Sequence, residues 1–305
     1  MILVAGASGF VGSALLLALH APRASASSES ANPRAVRALV RREFDAVRLR
    51  AQGVEAVTGD LVDGRGLDAA MRGVKTLVYL VHTLDRGGDV VASDLLAVQN
   101  ALIAARAAGV ERVVFLGHVA AAEDAPSEHL VARWATELAV RQSRLAWVVL
   151  RAPMIVGAGG TMFELIRRTV NRSPVVPLFR WRRTEVEPVA LADVIEALVT
   201  TIDDTNMIDR SFDITGPERM TCADAVKGWA RAARKHRVFL PLPGWGEPFE
   251  EQLPWSLVRL PRRETRLLLQ TLRARQVCAD PSRRFPLGRR PVSYAEAVQA
   301  VLRRR

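Results

Sequence analysis

A glycine-rich loop near the start of the chain constrains the fold more than any other feature. Gly6, Gly9 and Gly12 follow the apolar run Met1–Ala5 and overlap a helical pattern over Phe10–Leu19. In a strand–loop–helix unit, such glycines allow a tight turn, a close approach of the backbone to phosphate groups, and close packing of helix on strand. Backbone N–H groups at the helix start then point toward a pyrophosphate. This context predicts a dinucleotide site that includes Gly6, Ser8, Gly9, Phe10, Val11 and Gly12.

Strand and helix patterns alternate along the first half of the chain. The predicted strands are Met1–Ala5, Ala35–Val40, Val54–Thr58, Thr76–Val81, Arg112–Leu116 and Ala146–Leu150. The predicted helices are Phe10–Leu19, Glu43–Gln52, Leu67–Arg72, Asp89–Ala108 and Glu128–Gln142. Repeated β-α units imply a doubly wound parallel sheet with helices on both faces and right-handed crossovers. We therefore predict an α/β Rossmann domain over residues 1–155.

The pattern loosens after residue 155, and residues 156–305 are predicted to form a smaller α/β substrate or lid lobe interleaved with the first domain. The predicted elements are helix Thr161–Asn171, strand Glu185–Ala190, helix Asp193–Ile202 with Asp193 as its cap, and strand Arg210–Thr215. A helix from Thr221 to His236 and a final helix with the capping box Ser293/Glu296 follow. Pro22–Pro33, rich in Ala and Ser, is predicted to be a surface insertion, and Pro241–Pro261 is rich in Pro, Gly and Trp.

The end of the second predicted strand bears on the choice of cofactor. An acidic residue at this position hydrogen-bonds the ribose 2′-hydroxyl of NAD and repels a 2′-phosphate. This chain has Arg41 and Arg42 instead. Because guanidinium groups match the geometry of phosphate, we predict that NADP(H) is preferred over NAD(H). The alternative is that one or both arginines are solvated surface charges.

Composition narrows the classes of protein that remain. The chain has 305 residues, a net charge of +11 and two cysteines, Cys222 and Cys278, without metal-site or disulfide spacing. Arginine supplies most of the positive charge, and no recognition helix or aromatic platform accompanies it, so specific nucleic-acid binding is not expected. The longest apolar candidate, Leu145–Gly157, is interrupted by Arg151, and we expect no transmembrane segment. A cytoplasmic protein without a metal site, monomeric or homodimeric, is the expectation.

Several segments together resemble one family. They are the glycine loop, Val36–Arg42, Gly59–Leu61, Leu150–Gly157, Glu187–Val194 and Ser293–Ala297. The chain is thereby similar to the atypical, extended-like short-chain dehydrogenase/reductases of the NmrA-like and NAD(P)H-binding group. The carboxyl ends of the strands are where such sheets bind ligands. The resemblance and this rule add Asp60, Leu61, Val81, His82, Gly117, Arg151 and Pro153 to the predicted cofactor site. The resemblance further implies that Gly59–Leu61 contacts adenine.

The chain departs from this family at the catalytic pair. Standard members use a Tyr-x-x-x-Lys pair, in which the lysine lowers the pKa of the tyrosine. The only tyrosines here are Tyr79 and Tyr294, and neither is followed by lysine at the fourth position. Alignment on the fifth strand puts His129 and Arg133 at the positions of the pair, one helical turn apart. We predict that His129 exchanges a proton and that Arg133 binds the nicotinamide ribose or a substrate anion; the alternative is an inert pocket.

Three functions are compatible with these residues. The first is an NADPH-dependent oxidoreductase of unusual active site, acting on a small apolar or cyclic carbonyl compound in a pocket walled by Trp181, Trp245 and Trp255. The second is a non-catalytic NAD(P)H-binding protein, either a redox sensor or an assembly or regulatory protein, which the missing tyrosine and lysine favour. The third is an epimerase or dehydratase that uses a nicotinamide transiently.

Overall fold

A seven-stranded sheet with helices between its strands is the central feature of the fold, and it confirms the predicted doubly wound α/β class. The computed structural model describes residues 1–21, 34–84, 87–242 and 262–303. Its first elements are β1 (Ile2–Ala5), α1 (Phe10–His20), β2 (Val36–Val40), α2 (Glu43–Ala51), β3 (Glu55–Thr58), α3 (Leu67–Met71), β4 (Thr76–Tyr79), α4 (Val90–Ala107), β5 (Arg112–His118), α5 (Glu128–Arg141) and β6 (Ala146–Ala152). Each predicted element of this half is present, with ends that differ by a few residues.

The second half contributes shorter strands and five helices within the described residues. They are β7 (Ile155–Val156), α6 (Thr161–Arg172), β8 (Val175–Leu178), β9 (Glu185–Val186), β10 (Val189–Ala190), α7 (Leu191–Asp203), β11 (Arg210–Asp213), β12 (Met220–Thr221), α8 (Cys222–Ala232), β13 (Val238–Pro241), α9 (Arg262–Thr271) and α10 (Tyr294–Arg303). The predicted insertion Pro22–Pro33 and the tryptophans Trp245 and Trp255 lie outside the described residues.

The strand order places the glycine loop at the switch point of the sheet. The order is β11-β6-β5-β4-β1-β2-β3, so the chain moves outward from β1 in both directions. β1 pairs in parallel with β2 and with β4, with Ala5 opposite Leu39 and Tyr79. Ligands of open α/β sheets bind outside the carboxyl ends of the strands at such a switch point. The loops after β1, β2 and β4 are therefore the ones positioned for a ligand.

The chain divides into two compact units. The first comprises Met1–Gly117, Ala132–Leu150 and Ile195–Ser211, and the second comprises His118–Val131, Arg151–Val194 and Phe212–Arg305. Leu3, Leu77 and Phe115 are fully buried in the core of the first unit. Phe163 and Trp229 are buried in the core of the second unit, with their rings edge to face at 5.1 Å. The predicted domain boundary after residue 155 stays a prediction.

Helix α4 is long and apolar enough to cross a membrane by length and composition. Its mean hydropathy is 1.3, and 44% of it is buried inside the protein. Ala97, Val98 and Ala101 on this helix are fully buried in the core of the first unit. The carboxylate of Asp94, in the same helix, is buried and hydrogen-bonded. These contacts are those of a core helix.

The predicted strand Glu185–Ala190 is wrong, because two short strands replace it. Val186 in β9 pairs with Met220 of β12, whereas Val189 in β10 pairs with Ile155 of β7. Between them, Pro188 has no N–H to donate to a ladder. Glu187 turns inward, where its carboxylate accepts hydrogen bonds from arginines and from a backbone N–H. The proline and the buried, ion-paired Glu187 thus divide the predicted strand in two.

Two further details of the second half differ from prediction. Asp193 does not cap α7, which begins at Leu191; its carboxylate instead accepts from Arg289 Nη2 at 2.7 Å and from the Val292 N–H at 2.9 Å. The helix that begins after Thr221 ends at Ala232 and not at His236, because Arg234 adopts a φ of 52° and the chain turns out of the helix. The capping box Ser293/Glu296 is confirmed, and Thr221 and Asp224 form a second capping box at the start of α8.

Candidate nicotinamide-nucleotide site

The glycine loop has the geometry of a phosphate-binding turn. Gly6 has a φ of 85°, and its carbonyl accepts the Gly9 N–H at 3.0 Å, which closes the turn. Helix α1 begins immediately after Gly9, and no side chain caps its first N–H groups. A Cβ on Gly12 would lie 2.2 Å from the Gly6 carbonyl oxygen, so only glycine lets the helix start this close to the loop. Uncapped N–H groups at a helix start suit an anion.

A cavity of about 330 Å³ adjoins this loop within the first unit. Nine of the residues predicted to hold the cofactor line it: Gly6, Ser8, Gly9, Arg41, Arg42, Asp60, Leu61, Val81 and His82. Gly59, in the segment that the resemblance assigns to adenine, also lines it, whereas sequence reasoning missed seven lining residues, which are Leu39, Val40, Asp45, Val62, Leu80, Thr83 and Ala97. Most of these flank a residue that was predicted, so the loops were identified but their extent was not.

Six of the predicted site residues do not line this cavity. Phe10, Val11 and Gly12 form the first turn of α1, directly after the loop. Gly117 is in β5, and Arg151 and Pro153 belong to the second unit. Arg151 lies 3.5 Å from Asp213, and burial raises the pKa of the Asp213 carboxyl while Arg151 opposes that rise. Contacts of these six residues with a cofactor stay predictions.

Arginines after β2 give one end of the cavity a positive character. The Arg42 Nε lies 3.0 Å from a carboxylate oxygen of Asp45, and Arg48 lies 3.6 Å from the other oxygen. The Asp45 side chain is only 5% exposed, whereas that of Arg42 is 69% exposed. The aspartate is thus neutralised by two guanidinium groups. Arg42 keeps most of its donors turned to solvent, as recognition of a phosphate requires.

The loop after β3 also adjoins the cavity, and it is fixed by hydrogen bonds within itself and to neighbouring elements. Gly59 donates to the Val40 carbonyl at 3.0 Å, which ties the loop to the end of β2. Asp60 accepts the Val62 N–H at 2.9 Å through its carboxylate. Asn100 of α4 donates to the carbonyls of Leu61 and Val62 at 2.9 and 3.0 Å. The loop therefore presents a fixed wall to the cavity, in the position where the family resemblance predicts a contact with adenine.

A buried ion pair fixes the end of β4, which forms the third side of the cavity. One carboxylate oxygen of Asp94 accepts the Thr83 N–H at 2.7 Å, and the other pairs with Arg133 Nη2. The Asp94 and Arg133 side chains are 1% and 5% exposed, and the Arg133 guanidinium lies 5.5 Å from the centre of the Phe115 ring. Thr83 is one of the lining residues, and its hydroxyl is buried without a hydrogen-bond partner in the described part of the chain. The ion pair thus holds the backbone of Thr83 at the wall of the cavity.

Two histidines form a second constellation, in the second unit. The rings of His118 and His129 have centroids 6.4 Å apart and lie nearly perpendicular, at 78°. The Ala120 N–H donates to His118 Nδ1 at 3.1 Å. When Nδ1 accepts a hydrogen bond, the proton of the neutral ring is on Nε2. A fixed tautomer of this kind suits a hydrogen-bond donor, and His129 at the start of α5 is half-buried beside it.

Comparisons with known proteins relate the sequence of this chain to a family and to individual relatives. The sequence profile of the NAD(P)H-binding family matches residues 6–201. The ceramide reductase of Caulobacter vibrioides is 31% identical over 202 residues, which is 65% of this chain and 58% of that protein. The match therefore spans less than two thirds of this relative. The NAD(P)H azoreductase of Xenophilus azovorans is 28% identical over 236 residues, covering 76% of this chain and 74% of that protein.

Solved structures with a similar fold provide a further comparison. An NADPH-dependent quinone oxidoreductase of Escherichia coli, solved with NADPH, has a TM-score of 0.76 at 19% identity, covering 99% of this chain and 100% of that chain. This likeness shows the fold. The chain belongs to the NAD(P)H-binding family.

Proposed function

We propose that this protein is an NADPH-dependent reductase of a small, apolar or cyclic carbonyl compound. The observation that carries the proposal is the pair Arg41 and Arg42 at the cavity that also contains the glycine loop. The named relatives are all reductases, of ceramide, azo compounds and quinones, which supports the reaction class. NADPH supplies a hydride when bound. The residues of the chain orient it and supply the proton.

Each wall of the cavity has its own part in holding the nucleotide. The N–H groups at the start of α1 face the pyrophosphate, and Arg41 and Arg42 bind the 2′-phosphate. The loop at Asp60 and Leu61 packs against the adenine. Thr83, whose backbone N–H donates to Asp94, belongs to the wall of the cavity. Arg133 acts through Asp94 as a positioning residue and needs no contact with substrate.

The proton comes from His129 in this proposal. Reduction of a carbonyl adds a hydride to carbon and a proton to oxygen, and imidazole is a common general acid in proton transfers of this kind. His118, with its proton on Nε2, stands next to His129 and can return the proton to it from solvent. This pair takes the place of the missing Tyr-x-x-x-Lys.

The first experiment is a titration of the purified protein with NADPH, NADP⁺, NADH and NAD⁺, followed by NADPH oxidation against a panel of carbonyl compounds. Selective NADPH binding with substrate-dependent oxidation supports a reductase. His129→Gln should then lower kcat by about 10²–10⁴-fold, the usual contribution of general acid catalysis, and leave the Kd of NADPH unchanged. An unchanged kcat in this variant would show that His129 has no such role.

A non-catalytic nucleotide-binding protein is the second candidate. It is favoured by one observation: the residue at the lysine position, Arg133, is committed to a buried ion pair with Asp94. A redox sensor must bind NADPH and NADP⁺ with different affinity or change shape between them, because a ligand shifts an equilibrium only through differential binding. Tight binding without oxidation of any carbonyl, together with such a difference, would favour the sensor over the reductase.

A further inference from the structure

The small sheet formed by β8 and β13, in the second unit, has an apolar side that faces solvent. The two strands run parallel, with Val175 opposite Val238. Alternate side chains of a strand point to opposite sides of a sheet. On the inner side, Val176 and Leu178 are buried in the core of the second unit. On the outer side, Val175, Val238 and Leu240 form an apolar strip, and they are 42%, 62% and 46% exposed. The solvated face of a sheet is usually polar, so this strip is exceptional.

Hydrogen bonds at both ends of the sheet fix the two strands to each other. The Val238 N–H donates to the Pro174 carbonyl at 2.9 Å, where the strands begin. Arg182, in the turn after β8, donates through Nη1 to the carbonyl of Leu242, directly after β13, at 3.2 Å. The apolar strip is therefore a preformed part of the surface.

Two segments without acidic residues carry this strip. Residues 165–184, which include β8, contain six arginines and no Asp or Glu. Residues 225–242, which include β13, contain five lysines and arginines and again no Asp or Glu. The pairing of β8 with β13 brings the two segments together. An anionic surface that approaches the strip therefore meets no acidic side chain of these segments that would repel it.

Exposed cations lie at both ends of the apolar strip. Arg172 and Lys235 each lie three residues before one of the paired valines, Val175 and Val238. Because the strands are parallel, both cations are at the end where the strands begin. Arg183 lies in the turn after β8, at the opposite end. All three cations are exposed. The strip is thus flanked by positive groups.

We propose that this strip and its flanking cations bind the surface of membranes that contain anionic phospholipids. Such a membrane presents phosphate groups next to hydrocarbon, so it complements cations that flank an apolar strip. The net positive charge of the chain attracts the membrane from a distance, and the strip determines which side of the protein meets it. A nucleic acid offers phosphates but no partner for aliphatic side chains, and the strip has no aromatic side chain on which a base could stack.

Co-sedimentation of the full chain with lipid vesicles, in the absence of nucleotide, tests the proposal. Vesicles of phosphatidylcholine and phosphatidylglycerol in equal amounts should bind about tenfold tighter or more than vesicles of phosphatidylcholine alone, and added salt should weaken this binding. The double variant Val238→Ser/Leu240→Ser removes apolar contact, and Arg183→Gln/Lys235→Gln removes a cation at each end. Each should weaken binding to the anionic vesicles by about tenfold.

Matched controls change the same kinds of side chain in the first unit. Ile103→Ser removes an aliphatic side chain that is 57% exposed, and Arg65→Gln/Arg72→Gln lowers the net charge as much as Arg183→Gln/Lys235→Gln does. Both should bind vesicles as the wild type does. Urea unfolding verifies that each variant is folded, and Leu240→Ser alone replaces the double variant if the latter is not.

Three results would overturn the proposal. The first is equal binding, or no binding, to the two kinds of vesicle. The second is an equal loss in the strip variants and in their controls, which would assign the attraction to net charge. The third is a loss of duplex-DNA binding in Arg183→Gln/Lys235→Gln with vesicle binding unchanged, which would make this a nucleic-acid surface. None of the strip residues lines the cavity beside the glycine loop, so these results do not depend on reductase activity.

Discussion

At the scale of single residues, Gly12 sets how closely α1 approaches the glycine loop. In Gly12→Ala the new Cβ would lie 2.2 Å from the Gly6 carbonyl oxygen and 2.9 Å from Ala7 Cα, both backbone atoms that cannot move alone. We expect the loop to shift, NADPH affinity to fall at least tenfold, and stability to fall by about 1–3 kcal/mol, as overpacking usually costs. Calorimetry and urea unfolding measure the two effects. Gly87→Ala is the control and should change neither, because its Cβ would have no atom of the described residues within 4 Å apart from its chain neighbours.

Arg42 and Arg48 form a matched pair for testing cofactor choice. Both pair with Asp45, but only Arg42 lines the cavity. Because a hydrogen bond to a charged group contributes about 1.5–3 kcal/mol, Arg42→Gln should weaken NADPH binding by about tenfold or more and leave NADH binding nearly unchanged. Arg48→Gln should affect neither nucleotide. Equal losses for NADPH and NADH in Arg42→Gln would contradict recognition of the 2′-phosphate.

At the scale of helices and strands, the Asp94–Arg133 pair joins α4 to α5 and both to the end of β4. Asp94→Asn keeps an acceptor for the Thr83 N–H but leaves the Arg133 guanidinium buried without an anion. Removing one member of a buried pair costs about 3–5 kcal/mol, so the free energy of unfolding in urea should fall by that order. Glu111→Gln is the control, because it breaks an exposed ion pair: the side chains of Glu111 and Lys75 are 66% and 61% exposed. It should leave the unfolding midpoint unchanged. Similar unfolding midpoints for the two variants would show that the buried pair contributes nothing to the free energy of unfolding.

The elements also show how far sequence alone can predict this fold and its site. The β-α alternation and the glycine loop were predictable because they depend on local periodicity and on backbone conformations that only glycine tolerates. The split of the strand at Glu187 was not, because that carboxylate is held by Arg219 and Arg284, which lie far along the chain. For the same reason, the side chain of Asp193 suggested a cap but binds Arg289. Long-range ion pairs leave no local pattern.

At the scale of the whole molecule, the net charge of +11 acts over the entire surface and not at one site. We expect duplex DNA of any sequence to bind only weakly, and this binding to disappear between about 50 and 200 mM salt, since it depends on counterion release. Binding that survives this salt, or that discriminates between sequences, would contradict an unspecific charge effect. An electrophoretic or fluorescence-anisotropy titration at both salt concentrations measures it.

NADPH should behave differently over the same range of salt. A ligand that binds only the folded protein raises the free energy of unfolding by about 2.7 kcal/mol at a hundred times its Kd. In the proposed site its phosphates meet the helix N–H groups after Gly9 and the guanidinium of Arg42, and contacts at short range are screened less than the diffuse field. The NADPH-induced rise in Tm should therefore persist at 200 mM salt, where DNA binding is lost. If both effects vanished together, nucleotide binding would itself be a property of net charge, and the glycine-loop cavity would not be its site.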